Sequence, residues 1–251
     1  MLQFFTLFRI LLISLCLTAI VITIKYTTNL LGYHPIELGS LHSAVVSSAT
    51  FVIGFLLSAT IADYKESERI PSDFSTNLED MFIDAKAIHE SYPVFDLDGF
   101  RKQLRKIALG FNKDARTKNY DSRHDIYELA SYFSAMETGK VPPNFVVKLK
   151  QQQSLLLKAR HRVSYIQNIR FIPSATILAV SIVAMVIITL ILTNIDGSLL
   201  IIGLISFILI YMLLLINTIS TPFHVSGKTK DDVSLFLITE TAELLKDTPR
   251  K

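Results

Sequence analysis

Four stretches of this chain, residues 10–24, 38–62, 171–195 and 197–227, contain no Asp, Glu, Lys or Arg. A helix rises 1.5 Å per residue, so about 20 apolar residues cross a hydrocarbon core of about 30 Å. The last three stretches meet that length outright. The first meets it if Lys25 snorkels and the helix runs on to Leu31. Half of all residues are hydrophobic, which agrees with a membrane class. The fold class expected is an all-α membrane protein with four transmembrane helices in two hairpins and a cytoplasmic helical domain between them. The expected boundaries are 1–62 for the first hairpin, 63–170 for the central domain, 171–223 for the second hairpin and 224–251 for a cytoplasmic tail.

Arg9 ahead of an apolar run also fits a cleaved signal peptide. However, no small-x-small cleavage site follows, and Ile22 and Ile24 are bulky, so the segment reads as a retained span. The sole cysteine, Cys16, lies inside it. An intrachain disulfide and a cysteine-based metal site are therefore excluded.

A formal charge of +3 gives no reason to expect a nucleic-acid partner. The placement of charge says more. Residues 63–170 carry 18 of the 25 Lys and Arg, and five more follow Gly227. The connection after the first span holds Lys25 and Glu37, and the turn Asn194-Ile195-Asp196-Gly197 holds one acid. Cationic residues flanking spans mark the cytoplasmic side. Both termini and the central domain are thus expected inside a cell membrane, with both hairpin turns outside.

Within the central domain, helical spacing predicts a helix over 77–92 with Leu78, Met81, Phe82, Ala85 and Ile88 inward. A second is expected over 98–111 on Phe100, Leu104, Ile107 and Phe111. A third runs from Asp121 to Gly139 on Ile126, Leu129, Ala130, Phe133 and Met136. A fourth follows Pro142-Pro143 to Asn168 and leads toward Pro173. Nothing alternates like a strand. No phosphate-binding glycine loop, GxSxG elbow or HExxH is present, so no enzymatic activity, catalytic residue, cofactor or metal is expected. The six histidines, His34, His42, His89, His124, His161 and His224, are scattered. Asp121-x-x-His124-Asp125 is the one group resembling a ligand cluster, and it reads as a helix start, with Asp121 capping. His42, at the outer end of the second span, is either a pathway group or a solvated interfacial residue. Asp63 and Glu66, below that span, are either a cation-attracting cytoplasmic vestibule or an ordinary solvated helix end.

The second span carries Gly39, Ser40, Ser43, Ala44, Ser47, Ser48, Ala49, Gly54, Ser58, Ala59 and Ala62, more small residues than a lipid-facing helix requires. Small residues let helices approach closely, and serines bond across a bundle or hydrate an ion. Ser47, Phe51, Phe55 and Ser58 fall along one face at spacings of four, four and three. On residue type alone, packing against neighbouring spans is the preferred account of the two phenylalanines.

The run Phe51-Val52-Ile53-Gly54-Phe55, then Asp63-Tyr64, then Ile70-Pro71-Ser72-Asp73, resembles the pore helix of bestrophin channels. Ile169-Arg170-Phe171-Ile172-Pro173 is similar to the Ile-Pro step before that family's third membrane segment. Ile219-Ser220-Thr221-Pro222-Phe223 is similar to the Asn-Pro-Phe step that ends its fourth. The resemblance implies a homopentamer in a lipid bilayer, passing inorganic ions through a hydrophobic neck formed by the second span of each subunit. Phe51 and Phe55 would line that neck, with Gly54 and Ser58 packing or lining beside them. Ser47 stands where the family commonly has an aliphatic residue, which implies a wetter outer ring. Where animal members carry a dense acidic run, this chain has His224-Val225-Ser226-Gly227-Lys228-Thr229-Lys230-Asp231-Asp232. That is a poor cage for a cation wanting six to eight oxygens, so calcium gating is not expected. Anion (chloride) selectivity is the family expectation. The second reading is a non-conducting membrane scaffold or signalling protein whose helical domain binds a partner. The tail from Asp231, with Val233, Leu235, Phe236, Ile238 and Leu244, is expected to be helical and to wrap a neighbouring subunit.

Overall fold

The computed structural model describes residues 8–33, 35–37, 39–117, 122–168, 173–194, 199–223 and 232–246. Every regular element among them is a helix: α1 (Arg9–Leu30), α2 (Ser40–Ser91), α3 (Leu97–Arg116), α4 (Arg123–Tyr127), α5 (Leu129–Thr138), α6 (Pro143–Asn168), α7 (Pro173–Leu192), α8 (Leu199–Ile219) and α9 (Phe236–Leu244). The chain divides into two units. The main segments of one are Met1–Tyr64 and Arg170–Pro222, and those of the other are Lys65–Ile169 and Asp232–Lys251.

In the first unit α1, α7, α8 and the first half of α2 are each long and apolar enough to cross a membrane. α7 and α8 end close to proline or charge, as the sequence predicts, whereas α1 runs on through Lys25 to Leu30 and α2 continues past its apolar half. Charge-free helices satisfy all interior backbone groups themselves, which is what a bilayer demands. Val21, Ala49, Ile53, Val183, Val186, Leu190, Ile202 and Leu209 form the buried cluster between them. Small residues set the tightest approach: a Cβ at Gly203 of α8 would stand 3.0 Å from Ile22 Cδ1 of α1.

In the second unit α3 is amphipathic, and its Phe100, Leu104, Ile107 and Phe111 are all fully buried. Asp96 caps it, accepting from Gly99 N–H at 2.9 Å. Phe111 stacks on Phe74 of α2 with ring centroids 3.9 Å apart. Leu78, Met81, Ala85 and Ile88 of α2 and Leu149, Leu156 and Val163 of α6 complete the core.

Three expectations are corrected here, and the tail helix is placed. The second span and the helix over 77–92 are one 52-residue helix, with Pro71 inside it. Pro71 has no N–H to give the helix, and a proline in a helix interior costs about 3 kcal/mol. Burial of Ile70, Phe74 and Leu78 offsets it, since a fully buried large apolar side chain contributes roughly 1.5–3 kcal/mol. The third domain helix is two, α4 and α5, because Glu128 forms a turn between them. Its side chain is held by Gln103 and Lys106 of α3, and beyond that break Ala130 is exposed instead of inward. The tail helix α9 packs on α3 of its own chain: Arg105 Nε donates to Ala242 O at 3.0 Å, and Thr241 Oγ1 donates to Glu79 Oε1 at 2.7 Å. Ile238 and Ala242 are buried beside those polar ties. Finally, Lys25 does not snorkel, as detailed below.

Candidate functional site

The first half of α2 has two faces of different character. Ala49, Ile53 and Thr60 are buried at helical spacing, with Val46, Leu56 and Leu57 half-buried against the same cluster. That face anchors the helix to its own unit. Around the other side Ser47 and Ser58 are exposed, and Phe51 and Phe55 are 75% and 67% exposed. Lipid covers the apolar side chains of a span as readily as a protein partner does, so what distinguishes this face is that the two rings, one turn apart, are flanked by the exposed hydroxyls of Ser47 and Ser58. Gly54 is half-buried, yet a Cβ there would meet nothing within 4 Å. Packing within the chain therefore does not require glycine at this position. The structure brings Ser47, Phe51, Phe55 and Ser58 onto one uncovered face, as their spacing predicts.

Asp63, at the end of the first unit, is exposed. Glu66, in the second, is exposed and forms an ion pair with Arg162 at 3.0 Å. Pairing within the domain gives Glu66 a local partner that spacing along α2 does not reveal. The side chain of His42, as well as His34, Asp121, the turn residues 195–198, residues 169–172 and residues 224–231, lies outside the described residues.

Three polar arrangements escape a sequence reading. Lys25 is 1% exposed, and its Nζ donates to Ile191 O at 3.0 Å and Thr193 O at 2.5 Å. In the second unit Asp114 of α3 accepts from Arg160 Nε at 3.1 Å and from Ser122 N–H at 3.0 Å and its Oγ. Both members of that ion pair are buried. Arg160 falls in the inward register of α6 with Leu149, Gln152, Leu156 and Val163, and a charge in an apolar register is the signal that points to it. Third, Lys106 bridges Asp125 at 3.0 Å and Glu128 at 2.9 Å. Its hydrogen bonds to Glu128 and Asp125 hold its pKa above the usual lysine range. The Lys106 hydrogen bond likewise holds Glu128 below its ordinary value. Burial pushes the Tyr132 phenol up. His124, from the suspected ligand cluster, is exposed with Nε2 3.3 Å from Glu128 Oε1. His124 and Asp125 therefore turn to separate partners, and among the described residues no group of three His, Cys, Asp or Glu is arranged for a metal.

The sequence matches no protein-family model and no curated protein. The fold has counterparts among solved structures. Two point-mutant forms of a bacterial bestrophin homologue from Klebsiella pneumoniae superpose with TM-scores of 0.72 and 0.75 at 14% and 11% identity, covering 95% and 93% of this chain and 97% of each of those chains. A third structure, described as a membrane protein, matches with a TM-score of 0.73 at 14% identity over 95% of this chain and 96% of that one. The all-helical fold with four apolar spans is thus bestrophin-like over almost the whole chain.

Proposed function

We propose, from that fold and the uncovered face of α2, that this chain is the pore-forming subunit of an oligomeric ion channel, with five copies placing α2 around a common axis. The single observation that carries the reading is that Phe51 and Phe55 project uncovered from a helix whose opposite face is firmly buried. A neighbouring α2 supplies the cover. Small side chains at Ser47, Gly54 and Ser58 leave room for close approach and for water between the rings.

Phe51 and Phe55 then form a narrow apolar neck that is dry when closed and conducts when the rings turn aside. A phenyl edge carries partial positive charge and its face partial negative, so rings presented edge-on favour anions, and chloride is the proposed permeant ion. Ser47 gives the outer ring a hydroxyl and a wetter approach. Asp63 and Glu66 are candidates for the cytoplasmic vestibule, Glu66 tempered by its Arg162 partner. The reading has both termini and the helical domain in the cytoplasm of a cell membrane, and assigns the protein no catalytic role.

Ion flux from purified protein in liposomes tests it. Wild type should conduct, and Phe51→Ala combined with Phe55→Ala should alter conductance or gating while a native mass measurement still finds five copies. Absence of flux in wild type, with the double variant disturbing only assembly, would favour the non-conducting scaffold.

A further inference from the structure

Lys25 carries a charge into the membrane unit without a carboxylate partner among the described residues. A buried ammonium is costly unless its donors and its charge are both answered. Here the end of α7 answers both. The last carbonyls of a helix lack intrahelical donors and form the negative end of its dipole, and Lys25 Nζ donates to two of the terminal carbonyls, Ile191 O and Thr193 O. An intramembrane cation thus serves as a C-terminal cap delivered from α1, 168 residues away from Thr193 in sequence.

The capped end has a second attachment. Thr193 pairs with Ile36 in an isolated parallel bridge, and Asn194 N–H donates to Ile36 O at 3.2 Å. Ile36 lies in the segment between α1 and α2, just ahead of Ser40, where α2 starts. One fully buried backbone position, Thr193, therefore joins α1 through an ammonium, α7 through its own chain, and the lead into α2 through a β-type pair. We infer that Lys25 is a positioning residue for the outer half of α2. By fixing the α7 terminus it sets where Ile36 lies, and through Ile36 where the turn bearing Ser47 begins. A neutral side chain leaves the two carbonyls unsatisfied, and the terminus rotates to find other donors.

The test uses a fluorescent bimane attached at Ser47→Cys in a Cys16→Ser background, with the full chain reconstituted in vesicles. The emission maximum reports local polarity whether the site faces water, lipid or protein. Lys25→Met should shift the emission at this site, and Lys25→Arg, which still donates to carbonyls, should restore it. A bimane at Ser58→Cys, deeper along the same helix, should stay unshifted. Lys25→Leu, neutral and without a donor, carries the same comparison if Lys25→Met does not assemble. Unshifted emission in the neutral variant, an arginine variant that shifts as far as methionine, or equal shifts at both probe positions would overturn the inference. Failure of both neutral variants to assemble would assign Lys25 to folding and overturn it equally. A change in flux on Lys25→Met rests on the channel reading, whereas the emission shift does not. Loss of one therefore does not mimic loss of the other.

Discussion

Two glycines separate the two kinds of surface in this molecule. Gly203 of α8 lies buried against α1, where an added Cβ would crowd Ile22 at 3.0 Å. Gly54 of α2 has the same small side chain, yet an added Cβ would find open space. Smallness is used within the chain at the first and left unused at the second. The α1–α8 seam is closed within one copy, and the Phe51–Phe55 face is uncovered in it. A helix rich in small residues can be built for close contact with a partner outside its own chain, and only the position of its neighbours distinguishes that case from an internal seam.

The largest effect should come from a region completed entirely within the chain. Asp114→Ala removes the carboxylate that accepts from Arg160 Nε, and removing one partner of a buried pair costs roughly 3–5 kcal/mol. Thermal unfolding of the detergent-solubilised protein should show a marked drop in stability. The two glycines come next. Gly203→Leu overpacks the α1–α8 seam and should cost about 1–3 kcal/mol by the same assay, whereas Gly54→Ala should leave monomer stability unchanged or raise it by up to about 1 kcal/mol while changing flux. Equal destabilisation by both would erase the contrast between the surfaces. The smallest effect is expected from the solvent-facing Lys106–Glu128 tie. Because the folded pKa of Glu128 lies below the ordinary value of 4.5, its stabilising contribution is present above that value. It is lost as pH falls through the lowered one. Glu128→Gln should remove that part of the acid dependence, read as the difference between acid unfolding curves of the two proteins.

Much of this architecture is legible residue by residue. The limits of α7 and α8 follow from where charge stops and starts, because a bilayer penalises each unpaired charge by several kcal/mol. The inward face of α3 follows from the spacing of Phe100, Leu104, Ile107 and Phe111. Three other features are not legible locally. The continuity of α2 through Pro71 is not signalled by the residues next to it, and Ile70 and Phe74 are buried at that crossing. Glu128 reads as ordinary helix, and only Gln103 and Lys106, brought close by folding, make it a turn. The tail reads as an amphipathic helix in search of a surface, and its hydrogen bonds to Arg105 and Glu79 identify α3 and α2 of the same chain.

Period and polarity are local properties. The chain alone therefore determines that four helices are apolar enough to span a bilayer, and that Ser47, Phe51, Phe55 and Ser58 share one side of the second. Which side of that helix is anchored and which is left bare was decided by tertiary structure, since burial belongs to pairs of segments far apart in sequence. The same holds for Lys25. As one residue in a span it reads as a cation seeking the surface, and the free carbonyls of a helix end more than a hundred and sixty residues away hold it inside instead.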